Sequence, residues 1–361
     1  MVRMVTLLCL FPCCLCSPPL FPAIFIFGDS LLDAGNNNYL QAALAKADTL
    51  PNGIDFPTHS ATGRFCNGKT VTDFIADYVG LDYAPPYLAP TTHGNQLLQG
   101  VNYASGAGGI LDESGAAFNG RLSFNMQISY FNTTLVQLGE LLGAAKSATL
   151  LTESLIVVSM GTNDYIHNYM EPNSPLRADY DPEEFHTFLA SQLKARIKTL
   201  CNLGARKFLL LSVGPFGCIP SRIAVGSSTG KCVASDNEMA EGFNTAMQVM
   251  IQELSRSFPK AVVLYGNTYS AVLDVIKNAA ELGFDVINSG CCAFGRLKGQ
   301  VPCGLLNEFT HALCPNRSKY FFWDEYHPTE AVNIILSEGL LSGNTSNIEP
   351  MNLYELSQWA P

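Results

Sequence analysis

A serine, an aspartate and a histidine stand in this chain in contexts that suit acyl transfer. Ser30 lies in Phe27-Gly28-Asp29-Ser30-Leu31-Leu32-Asp33, directly after an apolar run. A serine placed where a buried strand gives way to a loop faces the rim of a sheet, where a nucleophile is reachable. Near the other end, Trp323-Asp324-Glu325-Tyr326-His327-Pro328 supplies a base and a carboxylate three residues apart. A serine hydroxyl is a weak nucleophile until a base takes its proton, and an imidazole with a pKa of about 6.5 does so at neutral pH. Asp324, one turn away, can hold the imidazole tautomer and stabilise the imidazolium. Pro328 disfavours helical geometry at His327, which predicts His327 at a cap position and Pro328 in the first turn of the last helix.

The tetrahedral intermediate of such a reaction needs hydrogen-bond donors for its oxyanion. Two motifs offer them. Gly161-Thr162-Asn163-Asp164 follows a second apolar run, and Ala104-Ser105-Gly106-Ala107-Gly108-Gly109 is a glycine-rich turn. The expected oxyanion hole combines the backbone amides of Ser30 and Gly106 with the side chain of Asn163; Gly108 is the alternative to Gly106. Each motif alone has a plainer reading, since Gly-x-Asn-Asp is commonly a turn and glycines serve close packing. Their ordered combination is what points to chemistry. Gly226-Ser227-Ser228-Thr229-Gly230 imitates a nucleophile elbow, but it sits in a polar loop without the strand and helix that an elbow requires. His59, His93, His167, His186 and His311 show no metal-binding spacing, so no metal and no cofactor are expected.

These residues need a scaffold, and the chain alternates short apolar runs with longer amphipathic stretches, as parallel α/β sheets require. Ala23-Ile24-Phe25-Ile26-Phe27, Leu155-Ile156-Val157-Val158-Ser159, Lys207-Phe208-Leu209-Leu210-Leu211-Ser212-Val213 and Ala261-Val262-Val263-Leu264-Tyr265 read as buried strands. Phe185, Phe188, Leu189, Leu193, Ile197 and Leu200 share one face of a helix that Pro182 can start and Gly204 can end. A second helix runs from Asp236 to before Pro259, a third lies within residues 118–142, and the last runs from about Pro328 to Leu341. Residues 36–150 are otherwise rich in Gly, Asn and Pro, with poor periodicity. No repeat or linker divides the chain, so a single domain over 22–345 is expected, with 346–361 as a tail.

With 361 residues and 47% hydrophobic content the chain can bury a large core, while its 14% charged content is low against the roughly 25% usual for a soluble domain. A formal charge of −10 speaks against nucleic acid or anionic membrane as a partner. Residues 1–17 read as a secretory signal: Arg3, an apolar stretch too short to span a bilayer, small residues near Ser17, then Pro18 and Pro19. Eight of the twelve cysteines lie beyond it, an even number that suggests disulfides, with Cys218 and Cys232 flanking a Gly/Ser-rich loop as the natural pair. Cys291, Cys292, Cys303 and Cys314 lack paired zinc-ligand spacing. Sequons at Asn132, Asn316 and Asn344 agree with secretion.

The motifs, taken in order, resemble the four sequence blocks of the GDSL (SGNH) esterase/lipases. Further runs resemble the secreted plant branch: Asp33-Ala34-Gly35-Asn36-Asn37-Asn38-Tyr39-Leu40, Gly63-Arg64-Phe65-Cys66-Asn67-Gly68-Lys69-Thr70, Gly100-Val101-Asn102-Tyr103-Ala104-Ser105-Gly106 and Gly214-Pro215-Phe216-Gly217-Cys218. The resemblance covers nearly the whole chain beyond the leader. It implies Ser30 as nucleophile and oxyanion donor, Gly106 and Asn163 as further donors, and His327 as base oriented by Asp324. It implies a flavodoxin-like three-layer α/β/α sandwich around a five-stranded parallel sheet, and a secreted, apoplastic or cell-wall hydrolase of acyl or lipid esters. Cys66 stands where that branch is expected to carry serine. An acyltransferase building cutin-like polyesters would use the same parts. A non-catalytic ester- or glycan-binding protein is the remaining alternative.

Overall fold

The computed structural model describes residues 18–302 and 313–360; the expected signal, Cys303 and His311 lie outside them. Four strands form where the apolar runs predict them: β1 (Ile24–Gly28), β2 (Leu155–Ser159), β3 (Lys207–Leu211) and β4 (Val262–Gly266). They pair in that order, all parallel, with Ile24 opposite Leu155, Leu155 opposite Lys207 and Lys207 opposite Val262. Nearly every residue in them is buried, so the runs are continuously apolar because helices cover both faces.

Residues 101–105 run along the free side of β1 as a further parallel segment. Ile26 N donates to Val101 O at 3.0 Å, Tyr103 N to Ile26 O at 2.7 Å and Ser105 N to Gly28 O at 3.1 Å. Gly100 permits this approach: its φ is +110°, and a Cβ there would lie 1.9 Å from Ile24 O. The glycine-rich turn is thereby delivered to the same sheet end as Ser30.

Helices α1 (Val71–Val79), α2 (Phe124–Leu142), α3 (Ala144–Glu153), α4 (Pro182–Asn202), α5 (Pro220–Gly226), α6 (Ala234–Ser257), α7 (Thr268–Lys277) and α8 (Glu330–Ser342) follow along the chain. On one face α2, α4 and α6 pack side by side; on the other α8 packs against both α1 and α7, which makes three layers. Helix α4 starts as its sequence predicts at Pro182, with the N-cap Asp181 and Glu184 at N3 forming a reciprocal capping box. Phe25, Phe27, Tyr103, Phe124 and Phe131 interlock under β1, with ring centroids 5.1–5.9 Å apart. Cys218–Cys232 is a disulfide, as is Cys291–Cys314, whereas Cys66 and Cys201 are buried free thiols. Ser228 is exposed in the loop after α5, so it has no elbow.

Two expectations are corrected. Residues 346–361 are no tail: after the short strands β5 (Val286–Gly290) and β6 (Tyr320–Phe322), which pair with each other, β7 (Ile348–Glu349) runs antiparallel to β4 and completes the five-stranded main sheet. Helix α9 (Leu353–Gln358) then buries Leu353 and Leu356 completely, and Lys207 Nζ, itself buried, lies 2.8 Å from Glu153 Oε2 and 3.5 Å from Ser357 O. The second correction concerns the last helix. Thr329 is its N-cap, so Pro328 precedes the helix and His327 stays in a turn before it.

The sheet-end loops are buried, and their amides find acceptors in buried carboxylates. Asp33 accepts from Gly35 N and Asn36 N, both at 2.7 Å, and from Gly106 N at 3.0 Å. Asp164 accepts from Ile110 N and Leu111 N at 2.9 Å and Ser114 Oγ at 2.7 Å. Asp29 accepts from Leu31 N at 3.0 Å. Burial outweighs these bonds and raises each carboxyl from 3.8 to about 6.

Leu356→Ala should cost roughly 2–5 kcal/mol in denaturant unfolding; a loss under about 0.5 kcal/mol would mean that α9 is not part of the cooperative unit. The raised carboxyls predict a pH dependence. A pKa higher in the folded state than its unfolded 3.8 stabilises fully below about pH 4, and that contribution is lost as pH rises through about 6. Asp29→Asn removes one such group while keeping an acceptor for Leu31 N. Its stability relative to the parent should therefore rise by up to about 3 kcal/mol between pH 4 and pH 7. Parallel stability curves for the two proteins would refute that titration.

Candidate active site

Ser30 leaves β1 in a tight turn in which Leu32 N and Asp33 N both donate to Asp29 O. Gln127 of α2 brackets the strand end, accepting from Gly28 N at 3.0 Å and donating to Gly28 O at 2.9 Å. The serine is thus held at a braced corner, partly exposed to the cavity.

His327 arrives from the far end of the chain in a turn built on Asp324. Oδ1 of Asp324 accepts from Tyr326 N and His327 N, each at 2.8 Å, and Trp323 N closes the loop onto His327 O at 2.7 Å. The same carboxylate meets His327 Nδ1 at 2.7 Å through Oδ2, and His327 Nε2 lies 2.7 Å from Ser30 Oγ. A carboxylate on Nδ1 fixes the proton there and leaves Nε2 to accept from the serine hydroxyl. All three groups form one continuous hydrogen-bonded chain.

The segment Gly63–Thr70 holds this turn against the sheet. Arg64 makes a buried two-point ion pair with Asp73, at 2.8 and 2.7 Å. Asn67 Oδ1 accepts from Glu330 N, Glu330 Oε1 accepts from Lys69 N, and Asn333 Nδ2 donates to Lys69 O, each at 2.9 Å. The start of α8 is clamped, and the Phe65 ring rests 5.2 Å from that of His327. Cys66 Sγ is 3.5 Å from Pro328 O; burial raises its pKa, so it stays a thiol packed behind the site.

Asn163 follows β2 and also lines the cavity. Its Nδ2 donates to Gly108 O at 2.9 Å, which orients the amide and leaves its second hydrogen free. Gly106 departs from expectation, because its N–H is taken by Asp33 and a Cβ there would meet Asn37 Nδ2 and Phe65 at 2.7 Å. That glycine serves close packing. The alternative, Gly108, donates to Ser105 O at 2.9 Å. Between them Ala107 lines the cavity with φ +63°, and its N–H meets no acceptor among the described residues. Sequence carries no signal for this choice, since it depends on which amide the Asp33 carboxylate occupies.

The cavity in front of Ser30 has a volume of about 720 Å³, within the usual range for small-molecule sites. Leu211, Val213, Phe216, Ile219, Phe321 and Phe322 give it a largely apolar wall. His167 and Glu325 also line it, and neither was singled out from the sequence as a functional residue. Among the described residues no group of His, Cys, Asp and Glu could hold a metal ion, and no helix is long and apolar enough to cross a membrane.

Comparison with known proteins identifies the family. Residues 24–340 match the family described as GDSL-like Lipase/Acylhydrolase. The Arabidopsis thaliana protein GDSL esterase/lipase At1g71250 is 43% identical over 340 residues, covering 93% of this chain and 89% of that one. GDSL esterase/lipase 7 from the same plant is 41% identical over 345 residues, covering 94% and 93%. A solved α/β hydrolase enzyme from the metagenome of Lake Arreo, Spain, aligns at 12% identity and a TM-score of 0.41, over 90% of this chain and 96% of that one. With so much of its length matched at such identity, the chain belongs to the GDSL lipase/acylhydrolase family and is a carboxylic ester hydrolase.

Proposed function

We propose that this chain is a secreted serine hydrolase that cleaves acyl esters through an acyl-enzyme. The observation that carries this reading is the unbroken hydrogen-bonded chain from Asp324 through His327 to Ser30, opening onto the cavity. Ser30 Oγ attacks the ester carbonyl carbon as its proton passes to His327 Nε2. The imidazolium so formed is stabilised by the Asp324 carboxylate. Negative charge gathers on the carbonyl oxygen, where Ser30 N–H, Ala107 N–H and the free amide hydrogen of Asn163 receive it. Collapse expels the alcohol, which takes the proton from Nε2, and water activated by the same nitrogen then releases the acid. The apolar wall suits the acyl chain.

Secretion is supported by the Cys218–Cys232 and Cys291–Cys314 disulfides, a bond type that persists in oxidising compartments, together with the apolar leader pattern of residues 1–17. The sequon residues Asn132, Asn316 and Asn344 are all exposed, as glycan acceptors must be.

Ser30→Ala should lose both ester turnover and covalent labelling by a fluorophosphonate; labelling that survives would remove Ser30 as the nucleophile. Asn163→Ala should lower kcat by about 10²–10³ with the fold intact. If kcat drops less than about tenfold, Asn163 is not a donor to the oxyanion.

A further inference from the structure

The cavity wall beside His327 carries two polar side chains with hydrogen-bonding capacity left over. Glu325 follows Asp324 directly and is 6% exposed; its Oε2 is buried and makes no hydrogen bond. His167 projects from the π-turn Tyr165–Tyr169 that continues the Asn163 loop. Its ring is held edge-on between Phe118, at 4.8 Å, and Tyr326, at 5.4 Å, and no hydrogen bond to its ring nitrogens occurs among the described residues. Buried polar groups are paired almost everywhere in folded proteins, so the open Glu325 Oε2, with the half-buried His167 ring in the same cavity, calls for a ligand that completes them.

Their position indicates which part of a substrate that would be. In an acyl transfer the leaving oxygen must take its proton from His327 Nε2, so the alcohol portion lies on the His327 side. Tyr326 and His327 have ring centroids 6.0 Å apart, and His167 packs against Tyr326 from the cavity. The same Asp324–His327 turn carries Glu325. Both groups therefore border the alcohol portion, while the apolar wall is left for the acyl chain.

We infer that Glu325 and His167 form a hydroxyl-binding subsite, so that the preferred substrate is an ester of a polyol or sugar with free hydroxyls beside the ester bond. This rests on the serine-hydrolase reading above. Charge state favours hydroxyls over a cationic headgroup. Burial, then the neighbouring Asp324 charge, raises the Glu325 carboxyl well above its ordinary range and keeps its proton on. Burial, then Arg222 and His327, lowers His167 to about 4, so its ring is neutral. A protonated carboxyl and a neutral imidazole each offer one donor and one acceptor, which is what a hydroxyl also offers. An ammonium would require an ionised carboxylate. A plain alkyl alcohol would leave both groups unpaired, and sites built for hydroxyls discriminate strongly against analogues that lack them.

The test compares kcat/KM for glyceryl monobutyrate and methyl butyrate, which share an acyl group. In Glu325→Leu and in His167→Phe the ratio of glyceryl to methyl ester should fall about tenfold or more, the factor one hydrogen bond supports. Glu325→Gln, which keeps a donor and an acceptor, should retain most of the ratio. An unchanged ratio in both apolar variants, or equal losses on both esters, overturns the subsite. Selective loss of butyrylcholine turnover in Glu325→Leu, with the glyceryl ratio intact, overturns it in favour of a cation site. If Glu325→Leu does not fold, His167→Phe and Glu325→Gln decide. Fluorophosphonate labelling of the parent enzyme is read separately: its absence sinks the serine-hydrolase reading rather than the subsite alone.

Discussion

A backbone amide that leaves a buried strand must find an acceptor where no water is at hand, and the architecture around Ser30 follows from that requirement. Three chain segments turn at the same end of the sheet, after β1, after β2 and at residues 106–109. Their amides cannot all pair with one another. Asp33 and Asp164 supply the missing acceptors, and asparagines supply the missing donors: Asn36 Nδ2 reaches Asn102 O and Ala104 O, Asn37 Nδ2 reaches Ala45 O and Gly106 O, and Asn102 Nδ2 reaches Leu32 O. Side chains do here what strands do elsewhere. The result is a set of irregular loops tied down by hydrogen bonds, which favours donors that act without reorganising during reaction.

The same side-chain type serves opposite purposes within a small volume. Asp324 presents its carboxylate to an imidazole and two amides, so it works as an oriented acceptor. Asp33 and Asp164 are sealed off among backbone donors, joined at Asp164 by the Ser114 hydroxyl, and shape the loops. Glu325, one residue from Asp324, keeps one oxygen, Oε2, without any partner. What separates these roles is the company each carboxyl keeps, a property of the fold that composition does not express.

Much of this was legible before any coordinates. The four parallel strands announce themselves as apolar runs because both of their faces are covered, and Ser30, Asn163 and the Asp324–His327 turn follow from strand ends and short spacing. What stayed hidden has physical reasons. Apart from α1 and the segment beside β1, residues 36–123 show no period because their structure is stitched by Asn and Asp side chains rather than by a helix or a ladder. Strand β7 is two residues long, too short for any alternation to register. Thr329 rather than His327 caps α8, because a proline between them is equally compatible with either start. The choice of Ala107 over Gly106 rests on one hydrogen bond to Asp33, which no local pattern encodes.

The pairing of β7 with β4 also bears on the order of events during synthesis. Every other strand of the main sheet lies at least 82 residues upstream of Ile348. Until that pair forms, Tyr265 and Gly266 at the end of β4 have no strand beside them on that side, the kind of edge on which chains join one another. The sheet is therefore closed from its far end, by the strand translated last. For as long as that strand is missing, the growing sheet ends in an open strand edge.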